Sequence, residues 1–308
     1  MTEKIVARGF HKFFNINERP ETKMETLKDP DLYPIYPVLK ENGFLGILSV
    51  YEDIDGEGLK WWISSKTTPS GTHADIFKNL ITPFLNNEVK LKIYENNISL
   101  MFEVIDPIND PHIVKYDKEK LTLIGAVKNE LEFKIFPEME LYKIYELFTK
   151  FTENDIEMDY VKLGKPINDF NELQKNIFEI YDNQSMLDDD GIEGFVFYSF
   201  SEKKGFSNES PFMFKYKTPW YKFWKFMRTI KDNIGKKIQP IFQHDISEDE
   251  KKLKLKSVLP EFKKRLFTFE ENVFFNFLIT RIQQKPNENL IDISIIQLRD
   301  EFLKVIGE

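Results

Sequence analysis

The stretch Tyr36–Val50, YPVLKENGFLGILSV, sets a short apolar run against a longer one and joins them through Glu41-Asn42-Gly43. Both runs read as strands, and Asn-Gly is a strong hairpin signal, so a strand–turn–strand unit is expected. Such a turn needs no lysine, yet Lys40 closes the first run. Lys-x-x-Gly alone carries almost no information: the pattern recurs at Lys304–Gly307, where the sequence reads as a helix end. What distinguishes Lys40 is its strand setting and the residues that follow it.

Composition narrows the chemistry. The 308 residues suffice for one large domain and a smaller one, and 29 Phe promise an aromatic core. With no Cys, disulfides, zinc ribbons and cysteine nucleophiles are excluded, and the four His (11, 73, 112, 244) lack metal-ligand spacing. No run of 18 apolar residues and no apolar leader are present, so a soluble, intracellular, cytoplasmic protein with no membrane contact is expected. The net charge of −8 is segregated. Acidic residues crowd Glu138–Asp190, including Asp188-Asp189-Asp190, which reads as a solvated loop. By contrast, Phe212–Lys237 holds eight Lys/Arg against one Asp, interleaved with aromatics. A local basic patch of this kind is compatible with RNA or nucleotide binding whatever the total charge.

Along the first 137 residues, short alternating runs separated by turn formers predict strands. They are Lys4–Phe14, Gly43–Glu52, Leu59–Lys66, Lys90–Glu95, Ile98–Asp106, Leu121–Val127 and Glu130–Phe136, with a helix near Thr72–Leu85. The period turns helical at Met139–Phe151 and Ile167–Asp182, then returns to strands at Gly191–Phe200 and Pro211–Lys217. Beyond Trp220 the pattern is helical. Ser247/Glu250 and Thr268/Glu271 read as capping boxes, and Trp220, Tyr221 and Trp224, at helical spacing, read as core. The domain boundary is expected within 228–246.

Downstream of Lys40 stand residues of complementary chemistry: Glu103 in SLMFEVIDP, Glu193 in GIEGFVFY, and Lys215 with Lys217 in FMFKYKTPW. Strand alternation puts Lys215 and Lys217 on one face. Two ammonium groups side by side repel unless an anion lies between them, and a phosphate would serve. Gly194, after Glu193, permits close approach of backbone or ligand.

Six stretches, ARGFHKFFNINE, LKENGFLGI, SSKTTPSGTHA, FEVIDPINDPHIVKY, EGFVFY and FMFKYKTPWYKFWK, run in order through about residues 7–225. Together they resemble the ATP-dependent RNA ligases of the covalent nucleotidyltransferase superfamily. The likeness is to the phage RNA ligase 1 type and, more nearly, to the adenylyltransferase domain of fungal tRNA-splicing ligases.

The resemblance implies an α+β nucleotidyltransferase domain (1–235) of antiparallel sheets around an ATP cleft, followed by a small all-helical domain (236–308). It assigns Lys40 as the nucleophile that becomes lysyl-AMP, with Lys215 and Lys217 as catalytic cations. Glu103 would contact the ribose, Lys12 the phosphates, and Arg8 and Lys66 would assist in the same way. Glu193 would hold the metal, Mg²⁺ or alternatively Mn²⁺. A lysine attacks only as the free amine, and its ordinary pKa is about 10.4, so neighbouring cations would have to favour the neutral form. RNA ends, those of broken or spliced tRNA, are the implied substrates. Related ligases carry a further segment before the first motif, where this chain begins, and the fungal enzymes carry healing domains after the last. Separate end-healing enzymes are therefore expected, and the protein is expected to be a monomer. The alternatives are a non-catalytic RNA-end-binding protein, a DNA ligase or a capping enzyme.

Overall fold

The computed structural model describes residues 4–53, 56, 58–150, 155–188, 191–243 and 246–307. Asp55, His244, and Asp189 and Asp190 of the acidic run lie outside them. The chain divides into two compact units. The first comprises Met1–Asp110, Tyr116–Ile180 and Gly194–Lys217; the second comprises Pro111–Lys115, Tyr181–Glu193 and Thr218–Glu308.

The first unit is α+β, with two sheets. Strands β1 (Phe14–Asn15), β2 (Ile35–Lys40), β8 (Gly194–Ser199) and β9 (Phe212–Lys217) form one, in the order β1-β9-β8-β2. Strands β3 (Phe44–Glu52), β4 (Leu59–Ser65), β5 (Ile98–Ile105), β6 (Lys120–Lys128) and β7 (Glu157–Tyr160) form the other, in the order β4-β3-β5-β6-β7. Pairing is antiparallel except for β1 with β9 and β6 with β7. All eight residues of β5 are buried, the pattern of an interior strand covered on both faces. The helices Thr72–Ile81, Asn87–Asn96 and Glu138–Thr149 contribute Phe77, Ile93 and Phe148 to a core with Leu48, Leu100 and Phe102.

The stretch YPVLKENGFLGILSV does not form the expected hairpin. β2 and β3 belong to different sheets, so Glu41-Asn42-Gly43 carries the chain across from one to the other. A Cβ on Gly43 would meet the Val104 carbonyl oxygen at 2.1 Å, so backbone contact, not turn type, demands the glycine. The crossing is tied down by polar contacts. The Gly43 N–H donates to Glu103 Oε1 (2.8 Å), and the Asn42 N–H donates to the Tyr116 hydroxyl (2.8 Å). That hydroxyl donates in turn to Glu41 Oε2 (2.7 Å), whose other oxygen accepts from Lys120 Nζ (2.9 Å).

Other expectations also change. Lys90–Glu95 lies in the helix Asn87–Asn96. Asn86 caps it by accepting from the Val89 N–H (2.9 Å), and Val89 and Ile93, four apart, are fully buried; that helical spacing overrides the local alternation. Of Lys4–Phe14 only Phe14 enters a ladder. The rest is held by side chains: Arg8 N–H donates to Ser99 Oγ (3.1 Å), and the Val6 carbonyl accepts from Ser49 Oγ (2.8 Å). Glu130–Phe136 makes a single bridge, Ile135 to Val127. The expected helix Ile167–Asp182 is broken by a π-helical turn at Gln174–Phe178.

The second unit is helical. Helix Pro219–Lys237 is capped by Thr218, whose hydroxyl accepts from the Tyr221 N–H (3.1 Å). Its Trp220, Trp224, Met227 and Ile230 are fully buried with Phe274, Phe275, Leu278 and Phe302 from the helices Phe269–Gln284 and Ile295–Gly307. The division at Lys217/Thr218 therefore replaces the expected boundary at 235/236. This helix carries the aromatic half of the second core, so it cannot belong to the first unit. Thr268 and Glu271 form the expected reciprocal box, and Ser247 caps its helix by accepting from the Glu250 N–H (3.3 Å).

Gly43→Ala should destabilise the protein by about 1–3 kcal/mol through overpacking at Val104. Tyr116→Phe should cost about 1–3 kcal/mol, because it leaves the Asn42 N–H without the hydroxyl that satisfies it. Each should lower the thermal unfolding midpoint by several degrees; an unchanged midpoint in either would contradict the crossing described here.

Candidate functional site

The register of the four-stranded sheet brings the lysines together. Lys40 on β2 pairs with Gly194 on β8, and Gly194 pairs with Lys217 on β9. One step along, Val38 pairs with Val196, which pairs with Lys215. Directly opposed residues project to the same side of a sheet, so Lys40, Lys215 and Lys217 share one face. The residue between Lys40 and Lys217 has no side chain. Gly194 has a φ of +150°, and a Cβ there would lie 1.9 Å from the Tyr216 carbonyl oxygen.

This face borders a cavity of about 360 Å³ between the two sheets. Lys12, Lys40, Lys66 and Lys215 reach it, while Val38, Val196, Leu45 and Ile124 supply apolar wall. Lys40 Nζ lies 3.9 Å from Glu103 Oε1 and donates to the Glu41 carbonyl (3.2 Å). Glu103 is thus shared between the crossing and the lysine. Glu41 also lines the cavity, but its carboxylate is committed to Tyr116 and Lys120. Burial weighs against the charge of Lys120, yet Glu41, Asp159 and Glu157 outweigh it and raise its pKa. Burial and then Glu41 push the Tyr116 hydroxyl well above its ordinary value, so it remains a neutral donor.

The first motif reaches the site through β1. Asn15 pairs in parallel with Lys215, which places Lys215 Nζ 5.1 Å from the centre of the Phe13 ring. Lys12 Nζ lies 4.8 Å from the Phe14 ring centre. Arg8 is not among the residues lining the cavity. It bonds the Glu130 carbonyl and, at 2.9 Å, His11 Nε2. Lys217 belongs to the lysine face without lining the cavity, and Lys66 lines it from just beyond the end of β4. Glu193 is buried immediately before Gly194, its carbonyl accepting from the Thr218 N–H (3.0 Å).

Tyr116, Glu41 and Lys120 are the residues that sequence reasoning missed. Tyr116 ends the matching stretch FEVIDPINDPHIVKY, and nothing in its spacing shows that a tyrosine 76 residues after Lys40 pins the next peptide bond but one. His73 pairs with Asp110 (3.3 Å) and packs on Phe44, which accounts for it structurally.

The cavity fits a nucleoside polyphosphate: four ammonium groups face a space with an apolar wall for a planar base. Among the described residues, no group of three or more His, Asp or Glu could hold a metal ion. A magnesium ion would fit as one shared between fewer protein carboxylates than three and a nucleotide's phosphates.

The chain is similar to several known proteins. A tRNA ligase of Candida albicans is 31% identical over 160 residues, covering 44% of this chain and 19% of that protein. The tRNA ligase 1 of Schizosaccharomyces pombe is 25% identical over 232 residues, covering 70% of this chain and 28% of that protein. The chain thus spans less than a third of either relative's length. A solved structure of a Naegleria gruberi RNA ligase mutant with ATP and Mn superposes with a TM-score of 0.48 at 13% identity, covering 72% of this chain and 60% of that one. Among the described residues no helix is long and apolar enough to cross a membrane. The RNA ligase family matches residues 1–221, and the chain belongs to that family.

Proposed function

We propose that the protein joins RNA 5′-phosphate and 3′-hydroxyl ends at the expense of ATP, through an adenylate carried on Lys40. The observation that carries this reading is the shared face of Lys40, Lys215 and Lys217 across a side-chain-free Gly194. Three lysines on one face suit a polyanion.

The chemistry runs in three displacements. The Lys40 amine attacks the α-phosphorus of ATP; a P–N bond forms, the bond to pyrophosphate breaks, and the amine loses a proton. An oxygen of an RNA 5′-phosphate then attacks the same phosphorus and releases Lys40. Finally an RNA 3′-hydroxyl attacks the 5′-phosphorus, loses its proton and expels AMP. Lys12, Lys66 and Lys215 stabilise the charge on the phosphates, and Lys217 extends the cationic face toward the leaving group. Glu103 orients Lys40 and offers its carboxylate to the ribose; Arg8 assists by holding His11. Glu193 is the carboxylate for Mg²⁺, which when bound would neutralise phosphate charge. The named relatives are tRNA ligases, which favours broken or spliced tRNA as substrate, with end-healing by separate enzymes.

Protein incubated with α-labelled ATP and Mg²⁺ should retain label through denaturation. Lys40→Ala should retain none, and Lys215→Ala should slow labelling by roughly 10²–10³-fold. Wild type should then seal a nicked anticodon stem-loop. Label on Lys40→Ala, or labelling by GTP in preference to ATP, would overturn the proposal.

A further inference from the structure

A second cavity, of about 320 Å³, adjoins the first, and His11, Lys12 and Phe13 line both. Its remaining wall is unusually aromatic: Phe14, Phe133, Phe206 and Phe212, all only half-buried. The rings are ordered against one another. His11 stacks on Phe133 with ring centres 4.1 Å apart and planes 21° apart, and Phe206 stacks on Phe212 at 5.4 Å and 21°. Arg8 holds His11 through Nε2 (2.9 Å). Burial and then the Arg8 charge lower the His11 pKa, which favours its uncharged ring. Lys12 stands at the seam between the cavities, and the Arg8 and Arg19 guanidinium groups lie over the Phe133 and Phe14 rings. Glu21 and Ser210 also line this cavity, and both can pair with a base edge.

We infer that this second cavity receives the terminal base of a 5′-phosphorylated RNA strand, stacked between the His11–Phe133 and Phe206–Phe212 pairs, with its 5′-phosphate at Lys12. The inference rests on the ligase reading only for which strand arrives. The pocket itself rests on aromatic faces left half-exposed beside cationic side chains, the arrangement by which proteins hold single-stranded bases without reading their sequence. Continuity through Lys12 also puts the phosphate of such a strand at the entrance to the lysine-lined cavity, where it must meet the α-phosphorus.

Phe206 lies outside the strands and can be changed without touching a ladder. In a full-length Lys40→Ala background, which stops turnover, binding of a fluorescent 5′-phosphorylated pentaribonucleotide would be titrated. Phe206→Ala should weaken binding about five- to thirtyfold, the loss of one stacking face, and Phe206→Tyr should restore it. A pentanucleotide with a 5′-hydroxyl should bind more weakly than the phosphorylated one, and Lys12→Ala should abolish that difference. Equal binding with Phe at 206 and after Phe206→Ala, or no recovery in Phe206→Tyr, would overturn the pocket. Wild-type protein that takes no label from ATP would overturn the ligase reading instead, and the binding series would still decide the pocket.

Discussion

The contact on which the site depends is the passage of the Gly43 backbone against the Val104 carbonyl. There the chain leaves one sheet for the other, and the two sheets enclose the lysine-lined cavity. A larger residue at 43 would push β3 off β5, and Glu103 would lose the N–H it accepts. Because the same Glu103 oxygen lies 3.9 Å from Lys40, the lysine's position follows from the crossing. A lysine in an exposed hairpin would sample many rotamers; one beside a sheet-to-sheet bend, with a buried carboxylate behind it, samples few.

Gathering cations costs energy, and the surroundings show how the cost is contained. Phe13 lies under Lys215 and Phe14 under Lys12, so two of the ammonium groups face aromatic π-clouds, which favour a cation without neutralising it. Glu18, at the end of the first motif, accepts from the Asn15 backbone and side-chain N–H groups (2.8 and 2.7 Å). Those bonds, the backbone one foremost, hold its pKa below the ordinary value. Glu41 is likewise committed to Tyr116 and Lys120. Lys40 keeps Glu103 at 3.9 Å, and Lys12 and Lys215 add to the field that lowers the Glu18 pKa, so rings and carboxylates together stabilise the gathered lysines.

How much of this was legible in the sequence varies with the range of the interaction. Strands whose burial is set by their own alternation, such as Leu59–Ser65 and Phe212–Lys217, are readable from a few neighbours, and so is the common face of Lys215 and Lys217. Asn86 and the Val89/Ile93 spacing were equally local, yet the alternation of Lys90–Glu95 masked them. The sheet crossing was not legible, because Asn-Gly looks the same whether it closes a hairpin or slips past a carbonyl 61 residues away. Tyr116, Glu41 and Lys120 were hidden for the same reason. The unit boundary was misplaced because the basic residues of Pro219–Lys237 drew attention from its buried tryptophans, which decide where the helix packs.

A chain of net charge −8 built around a polyanion site is not a contradiction once distance enters. At physiological ionic strength, charges beyond about 8 Å are largely screened, so a phosphate responds to the lysines lining its own cavity and hardly to distant carboxylates. The distant carboxylates therefore leave the local field of the cavity unchanged, and the segregation of charge along the chain lets Lys12, Lys40, Lys66 and Lys215 act together on whatever that cavity takes up.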